Sequence, residues 1–315
     1  MEAISRKQAV TGGITDAMLK GKSWHRFSYG WYLSPPAELR RIERLRCLSA
    51  ALPKGAAFSG LTAAELYGWW LPPLPPNMPI FVTADPGGRR PARREFRVRR
   101  SALPPEEVLL LNGMPVTSPV RTLLDLAEVL SLIDLVVIAD AALHKGDLTL
   151  AELRAAAKCP PRRGIRTFRR MTELADRRSE SAWETVLRLL YVLSGIPVEV
   201  QVEIFDSRGG LIGRSDLRIK GTVRLSEYDG ATHRDRERHQ DDLRREKRLH
   251  RAGYVRYGYV AREIVMQPAV IIADAEDALG WPRERGRVSP WLVEFEKSLF
   301  SRRGRARWRK KYCAQ

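Results

Sequence analysis

The chain has 315 residues, 44% hydrophobic and 29% charged, a globular composition long enough for two or three domains. Its 55 Lys and Arg against 37 Asp and Glu give a net charge of +18, which selects polyanionic partners, nucleic acid first. No apolar run reaches the roughly 20 residues that span a bilayer and no apolar signal core opens the chain, so a membrane role is not expected and the cytoplasm is the expected compartment.

Three scattered cysteines, Cys47, Cys159 and Cys313, form no C-x-x-C pair, and the five histidines show no H-E-x-x-H spacing. Neither a zinc knuckle nor a disulfide framework is indicated.

Residues 1–35 read as a small winged helix-turn-helix unit. Ser5 caps a short helix, Gly12 and Gly13 turn the chain, and Thr15 caps a second helix that ends near Gly21. The segment WHRFSYGWYL alternates about Gly30 as a wing hairpin does. Such units place the second helix in the major groove, which makes Lys20 and Lys22 the phosphate contacts. A purely structural cap is the competing reading.

Residues 36–130 form a mixed α+β module. ELRRIERLRCLSAAL and SGLTAAELYGWWLP have helical spacing, and PIFVTA is a short strand. PGGRRPARREFRVRR follows, with seven arginines against one glutamate. It reads either as a phosphate-contacting hairpin with Arg93 and Arg94 among its contacts, or as a solvated edge strand that blocks aggregation. In GMPVTSPVRTLLDLAEVL a turn and a strand lead into a helix on which Arg121 and Asp125, four apart, can pair. Residues 131–178 read as a helical linker of one or two helices ending in the basic stretch PPRRGIRTFRR.

Residues 179–275 carry the chemistry. SESAWETVLRLLYVLSGIP is an amphipathic helix with Glu180 and Glu184 in its first turns, stopped by Gly195 and Pro197. VEVQVEIFD is a strand. LIGRSDLRI and TVRLSEYDG then alternate about Lys220-Gly221. A two-residue turn there pairs 216 with 225 and 214 with 227, so Asp216 and Glu227 share a face as diagonal neighbours roughly 7–8 Å apart. Two carboxylates so placed can hold one hard divalent cation, Mg²⁺ or Mn²⁺. Such a cation activates a water and neutralises a phosphodiester. Asp229 faces the same side, and His233 follows as a proton carrier. Acids are disfavoured in strands, and several on one face are costly without a cation. An ordinary α/β domain with two stray acids is the bland alternative. The polar helix DRERHQDDLRREKRLHRAG comes next, with Arg244 and Arg245 placed for a phosphate backbone, then the strand YVRYGYV.

Residues 276–315 read as a basic tail. SRRGRARWRKKY holds seven basic residues and no acid. Arg302, Arg303 and Arg305 are its expected phosphate contacts and Trp308 a base-stacking group, in an arm that is disordered until it binds. The alternative is a solubilising tail.

Two resemblances add to these readings. The helix with Glu184, Gln201, Asp216, the E-Y-D-G-x-x-H run from Glu227 to His233, and Asp242 with Arg245 before Leu249 and Gly253 resemble the Vsr-like branch of the PD-(D/E)XK endonuclease superfamily over about residues 179–265. That resemblance implies a restriction-endonuclease-like mixed sheet flanked by helices and a metal-dependent phosphodiesterase site. Asp216 and Glu227 match its metal-binding acids, Glu184 its helix acid, and Asp229 the place of the superfamily lysine. Gly258 stands where the branch usually has an arginine.

The stretches R-K-Q-A through G-W-Y-L and G-M-P-V-T-S-P-V-R-T-L-L-D-L-A resemble the AbiEi family of antitoxins and repressors over about residues 1–150. This implies DNA binding through the winged helix and a module that contacts a protein partner. The expected architecture is multi-domain α/β. The expected function is a Mg²⁺-dependent endonuclease acting on DNA, with RNA as the other substrate. A non-catalytic DNA-binding regulator or AbiEi-type antitoxin, and an RNA-binding adaptor, are the alternatives.

Overall fold

The structure is a computed structural model that describes residues 2–34, 39–76, 78–87, 95–230 and 236–312. The chain divides into two compact units, Met1–Leu66 with Pro79–Ser118, and Tyr67–Met78 with Pro119–Gln315.

The first unit opens with β1 (Glu2–Ser5), α1 (Arg6–Thr11), α2 (Asp16–Leu19), β2 (His25–Ser28) and β3 (Trp31–Ser34). The cap signals act as expected: Ser5 forms a capping box with Gln8, and the Thr15 hydroxyl accepts from the Met18 amide at 3.2 Å. β2 and β3 form a hairpin about Gly30, whose φ of 68° suits a residue without a side chain. Its outer edge pairs with β1, giving the sheet order β1-β3-β2. Then come α3 (Arg41–Ser49), β4 (Ala56–Phe58), α4 (Gly60–Tyr67), β5 (Ile80–Ala84), β6 (Phe96–Arg100), β7 (Val108–Leu111) and β8 (Met114–Thr117), with five strands ordered β6-β5-β4-β8-β7. β6 runs parallel to β5, so the arginine-rich segment is not a hairpin with it. β6 is an edge strand, where charged side chains discourage pairing with another chain. Residues 1–35 do not stand apart from this module. Glu95 accepts from Ser28 of β2 at 3.0 Å and pairs with Arg44 of α3 at 3.0 Å.

The second unit begins with α5 (Pro119–Leu126), α6 (Leu132–Lys145), α7 (Leu150–Ala156) and α8 (Ile165–Leu174). Arg121 and Asp125 pair at 3.0 Å, both buried. The basic stretch expected to be a linker is α8: Ile165, Phe168 and Met171 recur every third residue among its arginines and are buried. α9 (Ala182–Leu193) follows, capped by Ser181, then β9 (Val198–Phe205), β10 (Leu211–Ile219), β11 (Arg224–Tyr228), α10 (Arg236–Arg251), β12 (Val255–Tyr259), α11 (Ala261–Met266), α12 (Pro268–Leu279), α13 (Ser289–Phe295) and α14 (Arg302–Tyr312). The four strands form a mixed sheet ordered β12-β11-β10-β9, antiparallel except for β11 with β12.

A buried polar knot ties the helices of residues 131–178 to α9. The Asp140 carboxylate on α6 accepts from Arg188 at 2.7 Å and Thr185 at 2.8 Å, and from the Asp176 amide at 2.8 Å. The hydrogen bonds of this knot cross the boundary expected near Ser179.

The C-terminal segment is also part of the fold. Asp134, near the start of α6, accepts from the Ser298 hydroxyl at 2.6 Å and the Leu299 amide at 3.0 Å. α14 crosses that turn so closely that a Cβ on Gly304 would stand 1.9 Å from the Ser298 carbonyl. Trp308 and Tyr312 are buried. The expectation of an unfolded arm with a base-stacking Trp308 is therefore corrected. Deleting residues 302–315 should lower stability by about 2–3 kcal/mol, from loss of buried aromatic surface. Thermal melting of the truncated chain checks this, and an unchanged melting temperature would contradict it.

Candidate functional site

β10 and β11 present the acids. Their register pairs Leu217 with Ser226 and Arg218 with Leu225, which continues to Asp216 opposite Glu227. The expected register placed these two diagonally. The loop is centred one residue later than Lys220-Gly221, which shifts the pairing by two residues and makes the acids direct cross-strand neighbours. The Tyr228 amide donates to Asp216 Oδ2 at 2.9 Å.

α9 brings a third acid. Glu184 Oε2 accepts from the Glu180 amide at 2.8 Å and from Gln201 Nε2 at 3.1 Å. Gln201 has φ 53°, a strained conformation for a residue with a side chain, inside β9. The β9–β10 register places it opposite Asp216. The register is unbroken across Gln201, which reaches Glu184 from within the strand, and such strain persists where surrounding contacts over-determine it.

Burial pushes the Asp216 carboxyl up to about 7, with the neighbouring charges of Glu184 and Glu227 adding to the shift. Burial also raises Glu184, and the Glu180 charge adds to that. Among the described residues neither Asp216 nor Glu184 has an ion pair.

Glu227 is held differently. Its Oε1 accepts from Arg245 of α10 at 2.7 Å and its Oε2 from Arg256 of β12 at 2.6 Å. Arg256 also donates to Asp229 at 2.6 Å. Arg245, expected on a phosphate backbone, is thus clamped between Glu227 and the Arg214 carbonyl, which it reaches at 2.7 Å. Gly258 is explained by the same cluster: a Cβ there would lie 1.9 Å from Asp229 Oδ2. Arg256 stands two residues before Gly258 on the same face of β12 and contacts both acids. Sequence patterning missed Arg256, although its i, i+2 relation to Gly258 was a readable signal.

The structure brings together Glu184, Asp216, Glu227 and Asp229. His233, Arg93 and Arg94 lie outside the described residues. Lys20 and Lys22 are exposed at and just after the end of α2, and the one acid of that helix, Asp16, is paired with Arg6. Arg244 is exposed on α10 and Arg302 on α14. Arg303 pairs with Glu296 at 2.7 Å, and Arg305 donates to the Leu299 carbonyl at 2.7 Å, which closes the turn before α14. Among the described residues no group of three or more His, Cys, Asp or Glu side chains is arranged to hold a metal ion, and no helix is long and apolar enough to cross a membrane.

Residues 56–176, from β4 through α8, match the family model of the AbiEi antitoxin C-terminal domain. The match starts later and ends later than the 1–150 stretch on which the resemblance was drawn. Two relatives from Mycobacterium tuberculosis, "Uncharacterized protein Rv2248" of strain ATCC 25618 / H37Rv and "Uncharacterized protein MT2308" of strain CDC 1551 / Oshkosh, are each 30% identical over 217 residues, 68% of this chain and 76% of the relative. The chain belongs to the same family as these mycobacterial proteins, and its residues 56–176 are similar to the AbiEi antitoxin C-terminal domain.

Proposed function

We propose that the protein binds nucleic acid, DNA first, and that Asp216 and Glu184 are the core of a divalent-cation-dependent phosphodiesterase site. One observation carries the reading: the half-buried Asp216 carboxylate lies beside the charges of Glu184 and Glu227, and neither Asp216 nor Glu184 has an ion pair among the described residues. A hard cation would compensate such charge, and although no group of three such ligands is assembled among the described residues, two carboxylates with bound waters are the kind of ligand set that Mg²⁺ takes, Mn²⁺ being its substitute. Asp216 and Glu184 are better placed to hold it than the expected pair Asp216 and Glu227, because both Glu227 oxygens accept from arginines. When bound, the cation would supply an activated water and neutralise phosphodiester charge. Gln201 orients Glu184, Arg245 and Arg256 place positive charge beside the acids, and His233 remains the proposed proton carrier. The Arg6–Asp16 pair removes the negative charge from α2, which suits a winged helix-turn-helix role for residues 1–35.

A second reading has its own observation. Arg245 and Arg256 neutralise Glu227 without any metal, as in a site kept for binding rather than cleavage. Together with the AbiEi-type domain, this favours a non-catalytic DNA-binding regulator or antitoxin that meets a toxin partner. Both readings require nucleic-acid binding. Filter binding to duplex DNA across salt concentrations should give a log–log slope of roughly −0.9 per phosphate contact. A flat salt response would sink both.

A further inference from the structure

The turn between β9 and β10 and the last turns of α10 enclose a half-open recess of about 460 Å³, lined by Asp206, Ser207, Arg208, Arg248, Arg251 and Ala252. We propose that this recess binds a phosphate group, and that in the working protein the group belongs to a nucleic-acid backbone; that second clause rests on the nucleic-acid-binding reading above.

The turn is built, not loose. Asp206 Oδ1 accepts from the Arg208 amide at 2.9 Å and the Gly210 amide at 2.8 Å. These amides hold the Asp206 carboxyl below its ordinary range, with Arg248 assisting at 3.6 Å. The one acid in the recess is thus committed to its own turn. Arg248 also donates to the Leu211 carbonyl at 2.9 Å, which fastens α10 to the turn. Arg208 and Arg251 have no acidic partner among the described residues, and both line the recess together with Ser207. Arg248 and Arg251 lie in the last turns of α10, where cations offset the helix dipole. That accounts for two arginines, but not for Arg208, which lines the same recess from the β9–β10 turn.

α10 links the recess to the acids. Arg245 at Glu227 and Arg251 in the recess are six residues apart, about 9 Å along the helix axis. Successive phosphates of one strand advance about 3.4 Å along a duplex axis. A strand laid along α10 with one phosphate at the acids would bring another, two or three nucleotides on, within reach of the recess.

The test uses the full chain and the Arg208→Gln/Arg251→Gln variant, with Arg208→Lys/Arg251→Lys as the charge-conserving control and thermal melting to verify folding. The expected result is a salt slope for duplex DNA smaller in magnitude by roughly 1.8 in the Gln variant, about 0.9 for each lost contact, and restored in the Lys variant. A second arm measures the melting-temperature rise caused by inorganic phosphate over chloride at equal ionic strength. A larger rise in wild type than in the Gln variant, with no change in DNA slope, supports the recess as a site for free phosphate and overturns the backbone assignment. Equal slopes and equal phosphate responses in a folded Gln variant overturn the proposal. If wild type binds no nucleic acid, the nucleic-acid reading fails, and the phosphate arm alone still decides the recess.

Discussion

Replacing Asp216 by Asn stabilises the protein at pH 8, although it alters a half-buried, hydrogen-bonded side chain. The folded-state carboxyl titrates at about 7 against an ordinary value of 3.8. Between those values the folded chain binds more protons than the unfolded chain, so this group's contribution falls as pH rises from about 4 to about 7. At pH 8 the ionised carboxylate faces Glu184 and Glu227 in a desolvated site. The Asn amide oxygen still accepts from Tyr228 and carries no charge. The expected gain is about 2 kcal/mol at pH 8, vanishing near pH 4. Millimolar Mg²⁺ reverses the order, because a ligand that binds only the folded wild type raises its stability with concentration and leaves Asp216→Asn unmoved. Melting curves at both pH values, with Mg²⁺ and with EDTA, check this. Asp216→Asn less stable than wild type at pH 8, with an equal Mg²⁺ response, would show that the carboxylate is structural.

Arg188→Ala is the most damaging single change expected. It leaves the Asp140 carboxylate buried beneath α9 with Thr185 and the Asp176 amide but without its cation. Removing one partner of a buried pair costs about 3–5 kcal/mol. Replacing both residues by apolar groups, as in Asp140→Leu/Arg188→Met, costs less than Arg188→Ala alone, since no charge is stranded. Chemical denaturation of the single and double variants measures the difference. Arg188→Ala as stable as wild type would mean that Asp140 is neutral in the fold. Because Thr185 follows Glu184 on α9, this knot also fixes the helix turn that presents an acid to the site.

Local signals in the sequence were sufficient for caps, turns and the hairpin that carries the acids. Ser5 and Thr15 act within three residues of themselves, and Gly30 and Gly195 have positive φ where the chain turns. What escaped depends on partners far along the chain. β1 is apparent only through its pairing with β3. Three apolar residues of α8 are hidden among arginines. α14 has few apolar groups, and its burial follows from Gly304 passing over Ser298. At the site, alternation placed Asp216 and Glu227 on one face, but register depends on loop length, which alternation does not encode. The neutralisation of Glu227 required Arg245 and Arg256, from a helix and a strand that meet only in the folded chain.

Incubation of the purified chain with labelled single- and double-stranded DNA and RNA, in Mg²⁺, Mn²⁺ or EDTA, decides whether the acids around Asp216 cleave. The expected result is cleavage of DNA in either metal and none in EDTA. Cleavage is abolished by Asp216→Asn and by Glu184→Gln, and slowed by His233→Ala, while DNA binding survives in all three variants. Intact substrates throughout, with wild type bound to DNA and its binding indifferent to metal, would contradict a phosphodiesterase and leave the protein a binding regulator.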